Sequence, residues 1–273
     1  MLDFSQFLIK KILYRTISVE KCSGLMIFNY SFPIKLNVPN ISFGLKPVGV
    51  STKVQPIRDG FATNPIYDNF GTKEQIEAVA KANPRINNIL NENKIALKIN
   101  VEELEKLKQG HMKDTRVVTA QIYSSLPAEL KQEVNLADLQ NAAMLHDYGK
   151  VLIPKEILNK KDKLSLAERE IMEQHSELGY ELLKGKGLSE NCLNLIRNHH
   201  QNCSGNGYPA VEKNYKHSIE AQILTVADKY SALREKRSYK NPLGKYEALE
   251  IIAKDVNKGL ISQDVYTALI KAV

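Results

Sequence analysis

Five of the six histidines in this chain share one pattern with two aspartates. It reads His111, His146-Asp147 with Gly149-Lys150 close behind, His175, the pair His199-His200, and Asp228. Imidazoles and carboxylates together make the sites that hold Fe, Mn, Zn and Ni. Five separated segments supply them, so a site made from them must be built inside a folded bundle.

The spacing of apolar residues agrees with such a bundle. From about Lys73 the texture is helical. Leu104, Leu107, His111, Val118 and Ile122 recur on one face, which turns His111 inward. Leu136, Leu139, Ala142, Ala143 and His146 form a second stripe, ended by Gly149. Ser165 with Glu168 signals a capping box, and Ile171, His175, Leu178 and Leu182 follow on one face. Ser189 caps a helix running into His199-His200. Ile219, Ile223, Val226 and Tyr230 mark the helix of Asp228, and segments at about 245–256 and 263–272 close the chain. The expected fold is all-α, a bundle of about seven or more helices. No internal repeat and no low-complexity tract is visible.

Residues 1–70 have a different texture. Pro33, Pro39, Pro47, Pro56 and Pro65 are half of the 10 prolines in the chain, and Gly24, Gly44, Gly49 and Gly60 interrupt the same region, so long helices cannot persist there. Phe32, Ile34, Leu36 and Val38 alternate as in a strand, and Phe4, Leu8 and Ile12 suit one side of a short helix. The expectation is an irregular, partly extended N-terminal arm (1–70), a connecting helical segment (71–97) and a catalytic domain (98–273). The arm carries no legible chemistry.

The formal net charge of +7 suits anionic partners, although it reads first as a Lys-rich solvated surface with no basic block of the kind that grips nucleic acid. Cys22, Cys192 and Cys203 form no CxxC and cannot pair completely, which points to a reducing compartment. Cys203 lies near the His pair but reads as a loop residue. Asp3 and Lys10-Lys11 bracket too short an apolar stretch for a secretory leader, and no apolar run approaches the roughly 20 residues of a membrane span. A cytoplasmic location is expected.

Taken singly, each histidine has a plain structural explanation as a hydrogen-bonded core residue, Asp147 as a helix-end surface residue and Asp228 as a buried partner. Together that explanation weakens, because five inward histidines without a shared purpose would each need a separate buried partner. His217, outside the pattern, reads as surface.

The local context narrows the reading. His146-Asp147-Tyr148-Gly149-Lys150 matches an HD signature. His199-His200 is followed by Gly205-Asn206-Gly207-Tyr208-Pro209. Val226-Ala227-Asp228-Lys229-Tyr230 and Arg237-Ser238-Tyr239-Lys240 complete the set. Over about residues 98–273 this combination resembles the HD-GYP branch of the HD phosphohydrolase superfamily. The resemblance implies an HD-type helical bundle and a bacterial signalling hydrolase. It also implies metal ligands at His111, His146, Asp147, His175, His199, His200 and Asp228, with Asp147 bridging two transition-metal ions, Fe or Mn by preference. Some members hold a third metal through a Glu four residues before the first His. Leu107 stands there, so two ions are expected.

The implied activity is hydrolysis of a cyclic dinucleotide, cyclic di-GMP to linear pGpG or GMP, with a metal-bridging hydroxide as nucleophile. Lys150 and Asp147 carry the catalysis in this reading, while Lys150, Tyr208, Arg237 and Lys240 meet substrate. Solvated surface charge is the competing reading for Lys150, Arg237 and Lys240. Departures from the family pattern are Gln201 for Glu, Ser204 for Asp and Gln222 for Arg. Two functional alternatives remain, an HD phosphohydrolase for another nucleotide and a non-catalytic cyclic di-GMP receptor acting through a signalling partner.

Overall fold

The computed structural model describes residues 71–235 and 241–273, and every regular element among them is helical. The readings on residues 1–70, and those on Arg237 and Lys240, lie outside the described residues.

Helix α1 (Lys73–Ala82) begins in a capping box in which Thr72 accepts from the Gln75 amide and the Gln75 side chain accepts from Thr72 N. Asn83 ends α1 and starts α2 (Pro84–Glu92), where its side chain accepts from the Arg85 and Ile86 amides and Pro84 fills a position that needs no donor. The pair is tied to the rest of the body. Asn83 Nδ2 donates to Glu181 Oε2 at 2.9 Å, and Ile86 and Ile89 are buried.

The next stretch is one continuous helix with a fault in it. Helix α3 (Val101–Leu107) passes into a π-helical turn (Lys108–Met112) and then into α4 (Lys113–Ser125). The short α5 (Ala128–Lys131) leads to α6 (Leu136–Leu145), which Asn135 caps. Leu139, Ala142, Ala143 and Leu145 of α6 are fully buried, as expected of a helix at the centre of a bundle. Leu139 alone accounts for about 2 kcal/mol of burial.

A 3-10 turn (Tyr148–Leu152) and the short α7 (Lys155–Leu158) follow. The Ser165–Glu168 capping box forms as expected at the start of α8 (Leu166–Glu173). The Ile171-to-Leu182 stripe is not one helix, however. It breaks at Gln174, and His175 opens a new helix, α9 (His175–Leu183). Ser189 caps α10 (Glu190–Asn198), as expected. Helix α11 (Ile219–Arg234) runs through the core, and α12 (Lys245–Asn257) and α13 (Gln263–Ala272) close the body.

Helix α4 packs on α6, α11 and α13, and α10 packs on α6 and α9. Several polar residues in these interfaces pair with one another. Ser189 and Asn191 both donate to the Asp138 carboxylate, and Gln140 joins Arg116 to Thr119. No helix among the described residues is long and apolar enough to cross a membrane.

Candidate metal centre

Three of the histidines stand at helix ends, and the chain's unpaired carbonyls orient them. The last carbonyls of an α-helix have no partner within it. His146 follows α6 and its Nδ1 donates to Ala143 O at 2.9 Å. His199 follows α10 and donates to Ile196 O at 2.6 Å. His175, just past α8, donates to Met172 O at 2.6 Å. A carbonyl can only accept, so Nδ1 carries the proton and each Nε2 presents a bare lone pair. This is the usual way a metal-binding imidazole is held, with the remote nitrogen engaged and the near one free.

The free nitrogens converge. His175 Nε2 lies 3.2 Å from His199 Nε2 and 3.1 Å from His200 Nε2. The His175 and His199 lone pairs, facing one another at 3.2 Å, repel unless a cation sits among them. Two nitrogens bound at right angles to one ion, each at ~2.1 Å, would stand about 3.0 Å apart. Burial is the largest cause that brings His175 down to about 3 and His200 down to about 4 and holds His199 well below the usual range, and repulsion from neighbouring imidazoles works in the same direction. All three are therefore neutral and ready to ligate near neutral pH.

All seven residues named from the sequence come together in two touching groups. Asp147, His175, His199 and His200 form one, and His111, His146 and Asp228 the other. Within each group the possible donor atoms lie within 4.8 Å of one another. Asp147, 1 % exposed, stands between them. Its Oδ1 faces His175 Nε2 at 3.5 Å and His199 Nε2 at 4.0 Å. Its Oδ2 faces His146 Nε2 at 3.5 Å and His111 Nε2 at 3.7 Å. Asp228 Oδ1 is 2.8 Å from His111 Nε2 and 3.6 Å from His146 Nε2. Burial works against both carboxylates. For Asp147, Lys150 and the imidazoles outweigh it, and for Asp228 the His111 and His146 contacts do, so both are held well below the ordinary range. His146 Nε2 is buried with no hydrogen-bond partner. A nitrogen-rich, carboxylate-bearing set with an orphaned inward nitrogen fits first-row transition metals, and the cluster is able to hold metal ions.

Lys150 Nζ lies 2.7 Å from Asp147 Oδ2. Two glycines let the motifs close around the centre. A Cβ on Gly149 would meet His175 O at 1.9 Å, so only glycine lets the 3-10 turn lie against α9. A Cβ on Gly207 would meet His200 O at 2.1 Å. The Tyr208 ring lies over His200, centroids 4.5 Å apart and planes 31° apart. Burial, with the Asp228 and Asp147 charges, pushes the Tyr208 phenol well up, so it stays a donor.

The sequence reading missed several supporting groups. His217, read as surface, is half-buried between the Tyr215 hydroxyl at 3.1 Å and Thr225 Oγ1 at 3.3 Å. Thr225 in turn donates to His199 O at 2.9 Å, just behind the metal cluster. Burial pushes His217 down to about 4. Glu235 Oε2 lies 3.8 Å from His111 Nδ1. Glu235 meets His111, and Thr225 meets His217, only through the tertiary fold, while Tyr215 and His217 stand two residues apart in a polar stretch without apolar periodicity. Cys203 is exposed and belongs to neither group, in line with its reading as a loop residue.

The family model described as HD domain matches residues 98–264. A cyclic di-GMP phosphodiesterase of Thermotoga maritima is 36% identical over 141 residues, 51% of this chain and 38% of that protein. A 3'3'-cGAMP-specific phosphodiesterase 2 of Vibrio cholerae is 40% identical over 106 residues, 38% of this chain and 20% of its own length. The chain thus spans well under half the length of these curated relatives. Among solved structures, Bd1817, an HDG"Y"P protein from Bdellovibrio bacteriovorus, aligns with a TM-score of 0.48 at 16% identity, covering 76% of this chain and 66% of that one. With the motifs of residues 146–150 and 205–209 packed around one His/Asp cluster, the chain belongs to the HD domain family and is of its HD-GYP type.

Proposed function

We propose that this chain is a metal-dependent phosphodiesterase that opens a cyclic dinucleotide, cyclic di-GMP in the first instance, to linear pGpG or GMP. Two transition-metal ions, Fe or Mn by preference, are held in this reading by His111, His146 and Asp228 on one side and His175, His199 and His200 on the other, with Asp147 reaching both. The observation that carries the reading is the division of the Asp147 carboxylate, one oxygen toward each histidine group. Bound there, such a pair supplies the charge that neutralises a phosphodiester and the nucleophile that attacks it near neutral pH.

The chain's own residues supply the rest. Lys150 stands at the mouth of the cluster, its side chain 19% exposed, where its charge meets a phosphoryl oxygen as negative charge builds there. Tyr208 keeps its proton and donates from the wall of the site. Its ring and that of His200 give a base a face to lie on. Arg237 suits a bidentate contact to guanine or phosphate, and Lys240 a point charge. Relatives named as cyclic di-GMP phosphodiesterases support the substrate class. Those named as 3'3'-cGAMP-specific favour a mixed cyclic dinucleotide as the second reading. A cytoplasmic location and a signalling role belong to the same proposal.

The test is anaerobic loading with Fe or Mn, elemental analysis, and turnover against cyclic di-GMP, 3'3'-cGAMP and cyclic di-AMP with the products resolved. Two ions per chain and cleavage of one of these are expected. Tight binding without cleavage at full occupancy would instead make the chain a receptor, and one ion or none would overturn the site.

A further inference from the structure

One buried side chain ties the far end of the loop of residues 205–209 to the His pair, while Asn202 holds its near end by accepting from the Gly205 and Asn206 amides. Gln201, directly after His200, is fully buried. Its Oε1 accepts from the Gly207 amide at 3.0 Å, and its Nε2 donates to the Pro209 carbonyl. The two loop groups differ in kind, one a donor and one an acceptor, so they fix which end of the amide is which. The clamp spans Tyr208 on both sides. The ring is left against His200 at 4.5 Å and edge-on to His175 at 6.1 Å. From behind, Thr225 Oγ1 reaches the carbonyls of both His199 and Gln201, so the segment carrying the clamp is itself anchored to α11.

We infer that Gln201 is a positioning residue that holds Tyr208 over His200 and thereby sets how tightly a substrate is gripped. In this chain the amide serves both loop groups at once, accepting from one and donating to the other. Glutamate keeps an acceptor for Gly207 but, when ionised, has no proton for the Pro209 carbonyl and faces it with like charge. Alanine serves neither group. The inference rests on the phosphodiesterase reading for its kinetic part only, since the clamp has a physical readout of its own.

The experiment compares the parent with Gln201→Glu, Gln201→Ala, Tyr208→Ala and the two double variants. Hydrogen exchange of the 201–210 peptide is measured first, in metal-free protein. Faster exchange in Gln201→Ala, with metal stoichiometry unchanged after loading, is expected. In turnover, Gln201→Glu should raise KM about tenfold, the scale of one buried hydrogen bond left unmade, with kcat changed far less. Adding it to Tyr208→Ala should raise KM little further, because both act through one ring. Unchanged exchange in Gln201→Ala would overturn the clamp whether or not any dinucleotide is cleaved. Additive KM effects, or equal losses of kcat and melting temperature in both Gln201 variants, would reduce Gln201 to a packing residue and overturn the inference. If no dinucleotide is turned over while exchange responds as expected, the functional reading fails and the clamp stands.

Discussion

Replacing Gly149 with alanine puts a methyl group where the structure has none to spare. The added Cβ would lie 1.9 Å from His175 O and 2.5 Å from Gly179 N, both backbone atoms, whereas real Cβ atoms essentially never come within 3.0 Å of a neighbour. The 3-10 turn and α9 must therefore part by more than an ångström. Overpacking of this kind costs about 1–3 kcal/mol, and a rigid backbone contact belongs at the upper end. For a body of this size about 3 kcal/mol lowers Tm by roughly 6–12 °C. The same movement separates Asp147, two residues upstream, from His175, which lies 3.5 Å from its Oδ1. Metal stoichiometry should therefore fall as well. Gly110→Ala is the matched control, because a Cβ there meets nothing within 4 Å, and alanine in a helix should raise stability by about 0.5–1 kcal/mol. Melting of the metal-free proteins and elemental analysis of the loaded ones read both effects. A Gly149→Ala protein that melts within a degree of the parent and binds metal equally would refute the reasoning.

Two further outcomes are expected. Asp147→Ala should lose both ions and turnover, whereas Lys150→Ala should keep metal and lose about 10²–10³ in kcat; parental turnover in Lys150→Ala would remove its assigned role. His217 is neutral in the fold and pushed down to about 4, against 6.5 for the free side chain. The unfolded chain takes up the extra proton, so this stability is complete above pH 6.5 and drains away as pH falls toward 4, by roughly 2 kcal/mol at pH 5. Metal-free His217→Gln should show a shallower loss of Tm between pH 7 and 5, and an identical slope would show that His217 is not responsible.

What was legible in the sequence was whatever local chemistry decides. Ser165, Ser189 and the periodic stripe before His146 announce their helices through groups one to four residues away. The cluster was legible for a different reason, because its ligands are chemically rare and few other roles suit five inward histidines. Contacts between remote segments were not legible. The break at Gln174 was hidden because Ile171 and Leu178 continue the same apolar face through it, and the close approach of Gly149 to His175 O beside it joins segments remote in sequence. His217 looked like surface because its neighbours Lys216 and Ser218 are polar, yet Tyr215 and Thr225 enclose it.

The π-helical turn at Lys108–Met112 has a bearing on how this helix tolerates change in length. It holds one residue more than an α turn would, so α3 and α4 are set on the core as two separately phased rods. Leu104 is buried on one rod and Val118 and Ile122 on the other. Winding the same residues as one unbroken α-helix would twist one rod by about 100° against the other and shift it about 1.5 Å along the axis, whereas deleting Gln109 would let the turn relax to α geometry with both rods close to where they stand. The surplus residue is a phase adjuster that lets the apolar seam of a long helix and the aim of one imidazole be satisfied together.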